Sequence, residues 1–421
     1  MGDRCPGVYI VMSEKKIVLI TAAFPYYPGE QFLETEIRYW GEHDGIKLII
    51  MPVAQGEQIR DIPPNITLDY TLINRPLSIF NKILNSMKAI FTPSFWIEVV
   101  KEKTFSPDMF LTNLATYSRL YRYKTLLYEY FLNNQIDVFY TYWFTEVTYA
   151  LQRIKRIHRC SFKVCTRVHG FDLYRERRKD NYMPLRRRYL DNIDKIFTIT
   201  DKAKDYLITT YGYNKGLLET KRLGVDDQKI ITSPSDPGFF HIVSCAFMVP
   251  VKNIDKIIKS IAVISDIIND KIIWTHIGDG PLEPQLLSLI DELEFNKKNI
   301  KHNFTGELKN SEVYSFYEKN KIDVFINTSE SEGVPVSIME AMSCHIPVIA
   351  PNIGGISDMI IDGYNGILLS SQAHIEEIVE ALTKIVFFKN KKNRTHSYEQ
   401  YKKNYDAKKN YNSFINTLEI L

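Results

Sequence analysis

Short runs of apolar residues alternate with longer stretches whose apolar positions recur at helical spacing, almost from end to end. This alternation predicts βαβ units and a parallel sheet. In the first half, strands are expected at KIVLITA (16–22), KLIIMPV (47–53), DVFYTY (137–142), FKVCTRV (162–168) and KIFTIT (195–200). Turn formers in TSPSDPG (232–238) break the pattern and place a domain boundary there. A second series follows at HIVSCAF (241–247), KIIWTHIG (271–278), IKHNFTG (300–306), DVFINT (323–328), IPVIA (346–350) and GILLS (366–370). The expected fold class is therefore α/β, with one doubly wound domain over 16–232 and another over 239–395. Two such units in tandem leave a cleft at the carboxyl ends of their strands, the usual ligand position. A charged amphipathic helix, or a pair of them, closes the chain over 396–421.

Residues 73–132 depart from the alternation, being helical in character and rich in aromatics. Such stripes are usually core or inter-helix packing. The other reading is a surface that rests on lipid through Trp, Phe and basic residues. The 421-residue length exceeds one comfortable core. With 45% hydrophobic and 24% charged residues, the composition is that of an ordinary globular protein. The net charge of +3 says less than its distribution, because RIKRIHR (153–159) and the run from RERRKD to PLRRRY (175–189) gather cations in the first half. Those runs read either as a solvated helical face or as a surface facing anionic lipid or an anionic acceptor.

Cys5, Cys160, Cys165, Cys245 and Cys344 are scattered without metal-ligand spacing, so free thiols in a reducing compartment are expected. No apolar run reaches the length of a membrane span. KKIVLITAAF superficially resembles a signal peptide but leads into a turn, PYYPGE, and fits a first buried strand better. Translation is expected to start at Met1 or Met12.

The chemistry concentrates in SESEGVPVSIMEAMSCHIPVIAPNIGG (329–355). It reads as strand, polar turn and helix, with Pro335 in the first helical turn. Glu332 then belongs to the loop and Glu340 to the second turn, so the two carboxylates need not touch. The amides near Val336 and Ser337 point out of the helix start and suit a phosphate. A carboxylate one turn further in suits two adjacent ribose hydroxyls, which favours a nucleotide-linked ligand over a metal pair. The bland alternative is two acids placed by the helix dipole. No Asp-x-Asp and no His pair at i, i+4 occurs, so metal binding is not indicated. Lys252, after the strand ending in SCAF, opens a helix beside the proposed phosphate position. His169 in RVHGFDLY (167–174) stands where a first-domain strand runs out, and Gly170 permits close backbone approach.

With these residues assembled, the chain resembles the family 4 retaining glycosyltransferases of the GT-B fold over residues 16–415. The motifs are FPYYPGEQFLETEI, HGFD, RLGV (222–225), VPVK, IGDGPL (277–282), FTGEL (304–308) and the 329–355 segment with its Glu-x7-Glu. In detail it looks most like bacterial enzymes that build capsule, exopolysaccharide or lipopolysaccharide. The resemblance implies two Rossmann-like domains facing across a cleft, with the C-terminal helix crossing back to the first. It implies a hexosyltransferase-type activity from a nucleoside diphosphate sugar to a lipid-linked or oligosaccharide acceptor, without cofactor, essential metal or nucleic-acid partner. Glu340 would bind the ribose, Glu332 the sugar and Lys252 the diphosphate, with His169 near the reacting centre. Val336, Ser337, Gly333, Gly29 and Gly278 are the further donor-binding positions it implies. The loop at Tyr27, Pro28, Gly29 and Glu30 would approach donor and acceptor from the first domain. A cytoplasmic protein is expected, with peripheral contact at an anionic membrane.

Two positions depart from the family's pattern. Phe247 stands where an Arg usually precedes the lysine by five residues, and Arg222 is the candidate to supply the missing cation. Asp358 follows the glycine pair where a Glu is usual. The rival readings are a phosphorylase or sugar-nucleotide epimerase of the same architecture, and an inactive sugar-nucleotide sensor or scaffold.

Overall fold

In the computed structural model, which describes residues 14–27, 29–75, 78–189 and 192–421, the apolar runs pair into two all-parallel sheets. Cys5, Met12 and Pro28 lie outside the described residues. The chain divides into two compact units, one running through Thr220 and including Asn412–Leu421, the other spanning Lys221–Tyr411.

The first unit holds β1 (Lys15–Thr21), β2 (Ile46–Pro52), β3 (Thr67–Leu68), β4 (Val138–Thr141), β5 (Lys163–Val168), β6 (Lys195–Thr198) and β7 (Leu218–Thr220). They lie in the order β3-β2-β1-β4-β5-β6-β7. Its helices are α1 (Leu33–Gly41), α2 (Ile79–Ile90), α3 (Pro93–Lys101), α4 (Pro107–Asn133), α5 (Glu146–His158), α6 (Gly170–Leu173) and α7 (Asp201–Tyr206). The strand order reverses between β1 and β4, which makes a crevice at their carboxyl ends.

Both faces of this sheet are covered, which is why its strands read as unbroken apolar runs. Ile17 and Leu19 of β1 pack on one side with Trp40, Phe414, Ile415 and Leu418. Val18 and Ile20 pack on the other with Tyr117, Leu120 and Leu127. The end of the chain is thus part of the first unit's core. A fully buried ion pair, Arg167 to Glu36, lies on the Trp40 side, with the guanidinium 4.1 Å from the Phe414 ring centroid. The Trp40 indole N–H donates to the same carboxylate at 3.3 Å.

The second unit holds β8 (Phe239–Cys245), β9 (Lys271–Ile277), β10 (Ile300–Phe304), β11 (Val324–Ile326), β12 (Val348–Pro351) and β13 (Gly366–Leu369). Their order is β10-β9-β8-β11-β12-β13, with the reversal between β8 and β11. Its helices run α8 (Ile254–Ile264), α9 (Glu283–Glu292), α10 (Asn310–Lys319), α11 (Val336–Ser343) and α12 (Ile356–Met359). They continue with α13 (Ile375–Leu382), α14 (Ile385–Lys389), α15 (Lys391–Asn404) and α16 (Ala407–Ile420), the last passing from the second unit into the first.

Every strand expected from the apolar runs is present, with ends shifted by a residue or two. The pattern missed β3 and β7, edge strands of two and three residues that are too short to show a period. The basic run at 175–189 is not a solvated helical face. It forms two short 3₁₀ turns and an irregular stretch, and Arg186 within it is buried. The Arg186 Nη2 donates to the carbonyls of Phe144 (2.9 Å) and Asp172 (2.5 Å), so it holds two loops together. Cys165 and Cys344 are buried, Cys160 and Cys245 half-buried, and these four are free thiols. No helix among the described residues is long and apolar enough to cross a membrane.

Candidate functional site

In the second unit, the loops after β8 and β11 leave the sheet on either side of its reversal point. The first carries Lys252 at the end of a 3₁₀ turn, Pro250–Lys252, and Asn253 in the left-handed region (φ 50°) then starts α8. The second carries Asn327 to Glu332. The two loops are stitched by Thr328 Oγ1, which donates to the Lys252 or Asn253 carbonyl (3.0 Å each), and by the Glu330 amide, which donates to Val251 (2.9 Å). That frame brings the Lys252 ammonium to 2.7 Å from Glu332 Oε1. Ser329 Oγ donates to the same oxygen at 2.7 Å, and Asn327 Nδ2 at 3.4 Å. The pairing was not legible in the sequence, because Lys252 and Glu332 are 80 positions apart. The lysine side chain remains 24% exposed, so it is held in place and still open to a ligand.

The glycine pair that closes the sequence motif has a packing reason. Gly354 sits at φ +51°, and a Cβ there would meet the Glu332 carbonyl oxygen at 2.0 Å. The Gly355 amide donates to the Gly333 carbonyl at 2.7 Å. The loop after β12 is thus pressed onto the backbone that aims Glu332. Gly354→Ala is expected to cost roughly 2 kcal/mol or more through left-handed strain and backbone collision. The variant's melting temperature against that of the parent protein checks this.

Helix α11 starts at Val336, with Pro335 as its N-cap rather than in its first turn. Proline offers no side-chain cap, so the first-turn amides, Val336 and Ser337 among them, keep the positive end of the helix unsatisfied by a neighbouring side chain. Glu340 is buried in the second turn and accepts a hydrogen bond from Asn310 Nδ2 at the start of α10. Burial pushes its carboxyl up to about 7, against the opposing pull of the Asn310 bond. Asn310 carried no motif of its own and could be found only once α10 was placed beside α11.

Gly278 and Gly280 line the loop after β9. Gly278 (φ +131°) lies against Ala246, whose carbonyl oxygen would stand 2.1 Å from an added Cβ, and its amide donates to Gly306 at 2.9 Å. Phe247, in the adjacent loop, is 55% exposed. Arg222 is half-buried in the stretch that follows β7, beside Leu223 and Gly224, which pack on the segment around Tyr405 and Ala407. Asp358 lies on α12, just beyond the glycine pair.

The first unit has its own group at its reversal point. Glu30, with φ 52°, turns its carboxylate inward, where it accepts from the amides of Ala22 (3.1 Å), Ala23 (2.7 Å) and Phe24 (2.6 Å) and from the Trp143 indole (2.6 Å). Glu30 therefore organises the loop after β1 instead of presenting its own charge. Gly29 beside it is exposed at φ +97°, with open space where a Cβ would be. Tyr27 is exposed and stacks on Arg60, whose guanidinium lies 3.8 Å from the ring centroid.

His169 follows β5 and is buried in an aromatic cage. Its ring lies 4.7 Å from Tyr142, 4.6 Å from Trp143 and 6.0 Å from Phe32, centroid to centroid. Burial, with Arg167 nearby, holds it well below the usual histidine range, so the ring is neutral. Neither ring nitrogen has a hydrogen-bond partner among the described residues. Its backbone is fixed by Asp172, whose carboxylate accepts from the His169 and Phe144 amides at 2.6 Å each. Burial raises the Asp172 carboxyl to about 6. A cavity of 350 Å³ opens nearby, lined by Thr21, Trp143, Glu146, Val147, Phe171 and Asp172 among others.

The structure thus brings Lys252, Glu332, Gly333 and the glycine pair into one frame, and Val336, Ser337 and Glu340 onto one helix. Gly29 and His169 belong to the first unit. Among the described residues no group of three or more His, Cys, Asp or Glu side chains could hold a metal ion.

Residues 227–404 match the family model described as glycosyl transferases group 1, and residues 89–229 match glycosyltransferase family 4. An uncharacterized glycosyltransferase of Methanocaldococcus jannaschii is 30% identical over 38% of this chain and 41% of its own length. The alpha-monoglucosyldiacylglycerol synthase of Acholeplasma laidlawii is 36% identical over 26% of this chain and 25% of its own. The matches span less than half the length of these curated relatives. Among solved structures, the lipopolysaccharide outer core galactosyltransferase WaaB superposes with a TM-score of 0.68 at 16% identity, over 96% of this chain and 99% of that one. Anabaena HepE in complex with UDP and glucose superposes at 0.63 and 17% identity, over 96% and 100%. The chain belongs to the family 4, group 1 glycosyltransferases and has their GT-B fold.

Proposed function

We propose that the protein is a retaining, hexosyltransferase-type enzyme that moves a sugar from a nucleoside diphosphate sugar to a lipid-linked or growing polysaccharide acceptor. The setting is cytoplasmic assembly of capsule, exopolysaccharide or lipopolysaccharide. One observation carries the reading: Lys252 and Glu332 are paired at the second unit's reversal point, in the unit whose helix α11 starts without a side-chain cap and bears Glu340.

In this scheme the diphosphate takes the Lys252 ammonium and the Val336 and Ser337 amides. Glu340 accepts from the ribose hydroxyls and Glu332 from hydroxyls of the sugar. Gly333, Gly29 and Gly278 let backbone come close to the donor. The bond from the anomeric carbon to the β-phosphate oxygen breaks, and a bond to the acceptor oxygen forms on the same face. The acceptor's hydroxyl proton passes to the departing phosphate oxygen, and the nucleoside diphosphate leaves. Lys252 and the helix amides offset the charge that grows on the leaving group, where fixed donors are worth most. The neutral His169, with no partner for either ring nitrogen among the described residues, meets a sugar hydroxyl. Arg222 stands in for the cation that Phe247 does not supply. The 350 Å³ cavity of the first unit is offered to the acceptor.

A donor screen by thermal shift tests this. A ligand at about 100 times its dissociation constant stabilises by about 2.7 kcal/mol. At least one UDP- or GDP-sugar should raise the melting temperature, with UDP-glucose first in the panel because Anabaena HepE was solved with UDP and glucose. A panel without any stabilising nucleotide sugar overturns the reading.

A further inference from the structure

Helix α2 is amphipathic, yet it is turned the opposite way from a core helix. Ile79, Phe80, Ile83, Leu84, Met87 and Ile90 share one stripe of its surface, and Phe91 extends it. These seven side chains are between 37% and 81% exposed. The other side of the helix, with Lys82 and Asn85, meets α4 through small and polar groups. Asn85 Nδ2 donates to the Ser118 carbonyl (3.4 Å), and Ser118 Oγ donates to the Lys82 carbonyl (3.3 Å). Ala89 is the buried residue of this helix. Burial within the unit would select the reverse orientation, since large apolar side chains left in water forgo the gain of burial.

The apolar surface continues beyond α2. The Trp96 indole donates to the Ile90 carbonyl at 2.7 Å, which ties α3 to the end of α2. Trp96, Ile97 and Val100 of α3, and Phe105 after it, are all exposed. Phe95 and Val99 point the other way, into the core with Tyr117. The aromatic stripe of the sequence therefore has two faces with two roles.

The exposed charged residues between 78 and 105 are lysines. Lys88, Lys101 and Lys103 are exposed beside the apolar side chains. The acidic residues between 78 and 105 are Glu98 and Glu102. Glu98 is buried and accepts from the Tyr182 hydroxyl (3.1 Å) and the Leu185 amide (2.7 Å). Glu102 faces Arg187 at 3.5 Å.

We propose that α2, α3 and Phe105 form a docking surface for an anionic lipid bilayer. The Ile, Leu, Phe and Trp side chains enter the boundary between headgroups and acyl chains, and the lysines reach the lipid phosphates. A second copy of the chain is a poorer occupant, because a two-fold contact would set the same lysines against one another. The proposal goes beyond the transfer reading and does not depend on it.

Cosedimentation of the full-length protein with vesicles tests it. Binding is expected to phosphatidylglycerol-containing vesicles, weaker in high salt and weaker to pure phosphatidylcholine. Ile83→Glu with Met87→Glu should lower the apparent affinity at least about tenfold. The melting temperature and the thermal shift with donor should stay as in the parent protein. Lys88→Glu with Lys101→Glu should reduce binding to the phosphatidylcholine level, and this pair carries the test if the first misfolds. Wild-type protein that stays in the supernatant with phosphatidylglycerol vesicles overturns the proposal, as do variants that bind as well as the parent. So does a wild-type dimer, seen by light scattering, that Ile83→Glu with Met87→Glu dissolves.

Discussion

Lys252→Ala should lower the transfer rate about 100-fold or more while leaving the fold intact. The side chain is 24% exposed and bonded to Glu332, so its truncation opens no cavity in the core. Glu332 keeps the Ser329 hydroxyl as a donor. What is lost in the proposed scheme is a charge-assisted contact to the diphosphate, worth roughly 1.5–3 kcal/mol in binding and more where leaving-group charge develops. Steady-state kinetics beside a thermal melt separate the outcomes. A large fall in melting temperature at an unchanged rate would make the lysine structural.

Substitution at Glu340 is the second large effect, and it has a pH dependence of its own. In the proposed scheme two ribose hydroxyls lose a charged acceptor in Glu340→Ala, so donor binding should weaken roughly 100-fold. In the parent protein, burial raises the carboxyl from its ordinary 4.5 to about 7. Ribose hydroxyls donate best to the ionised form, so donor binding should weaken as pH falls below about 7, approaching tenfold per pH unit in the limit. Glu340→Gln should abolish that dependence. The folding stability runs the other way. Between 4.5 and about 7 the unfolded chain releases this proton while the folded chain retains it. The unfolded state then binds fewer protons, so Glu340's contribution makes the apo protein less stable as pH rises through that window and leaves it constant outside. Calorimetric titration of donor across pH 5.5–8, with the Gln variant alongside, checks both signs.

The architecture was legible in the sequence because both sheets are parallel and covered, so every interior strand is an apolar run. β3 and β7 were not, being edge pieces of two or three residues. Glu332 and Glu340 were legible as loop and helix residues from the Gly-Val-Pro turn between them. Their partners were not: Lys252 and Asn310 reach them across 80 and 30 positions, distances that only tertiary packing closes. Glu30 is a different case. It lies in the loop expected to approach donor and acceptor, and three backbone amides and an indole use its carboxylate locally, which the sequence did not show. Arg186 was hidden in a run of like charges, where composition suggests solvent and the structure supplies two buried carbonyls. The aromatic stretch could not be divided into core and surface until α4 fixed which side of α2 faces inward.

The most direct measurement is turnover by the purified full-length protein of a panel of UDP- and GDP-sugars, with and without lipid-linked acceptors, followed by release of the nucleoside diphosphate. Release from at least one nucleotide sugar, accelerated by an acceptor and lost in Lys252→Ala, is the expected result. A protein that neither binds nor turns over any of them contradicts nucleotide-sugar-dependent transfer at the Lys252–Glu332 site.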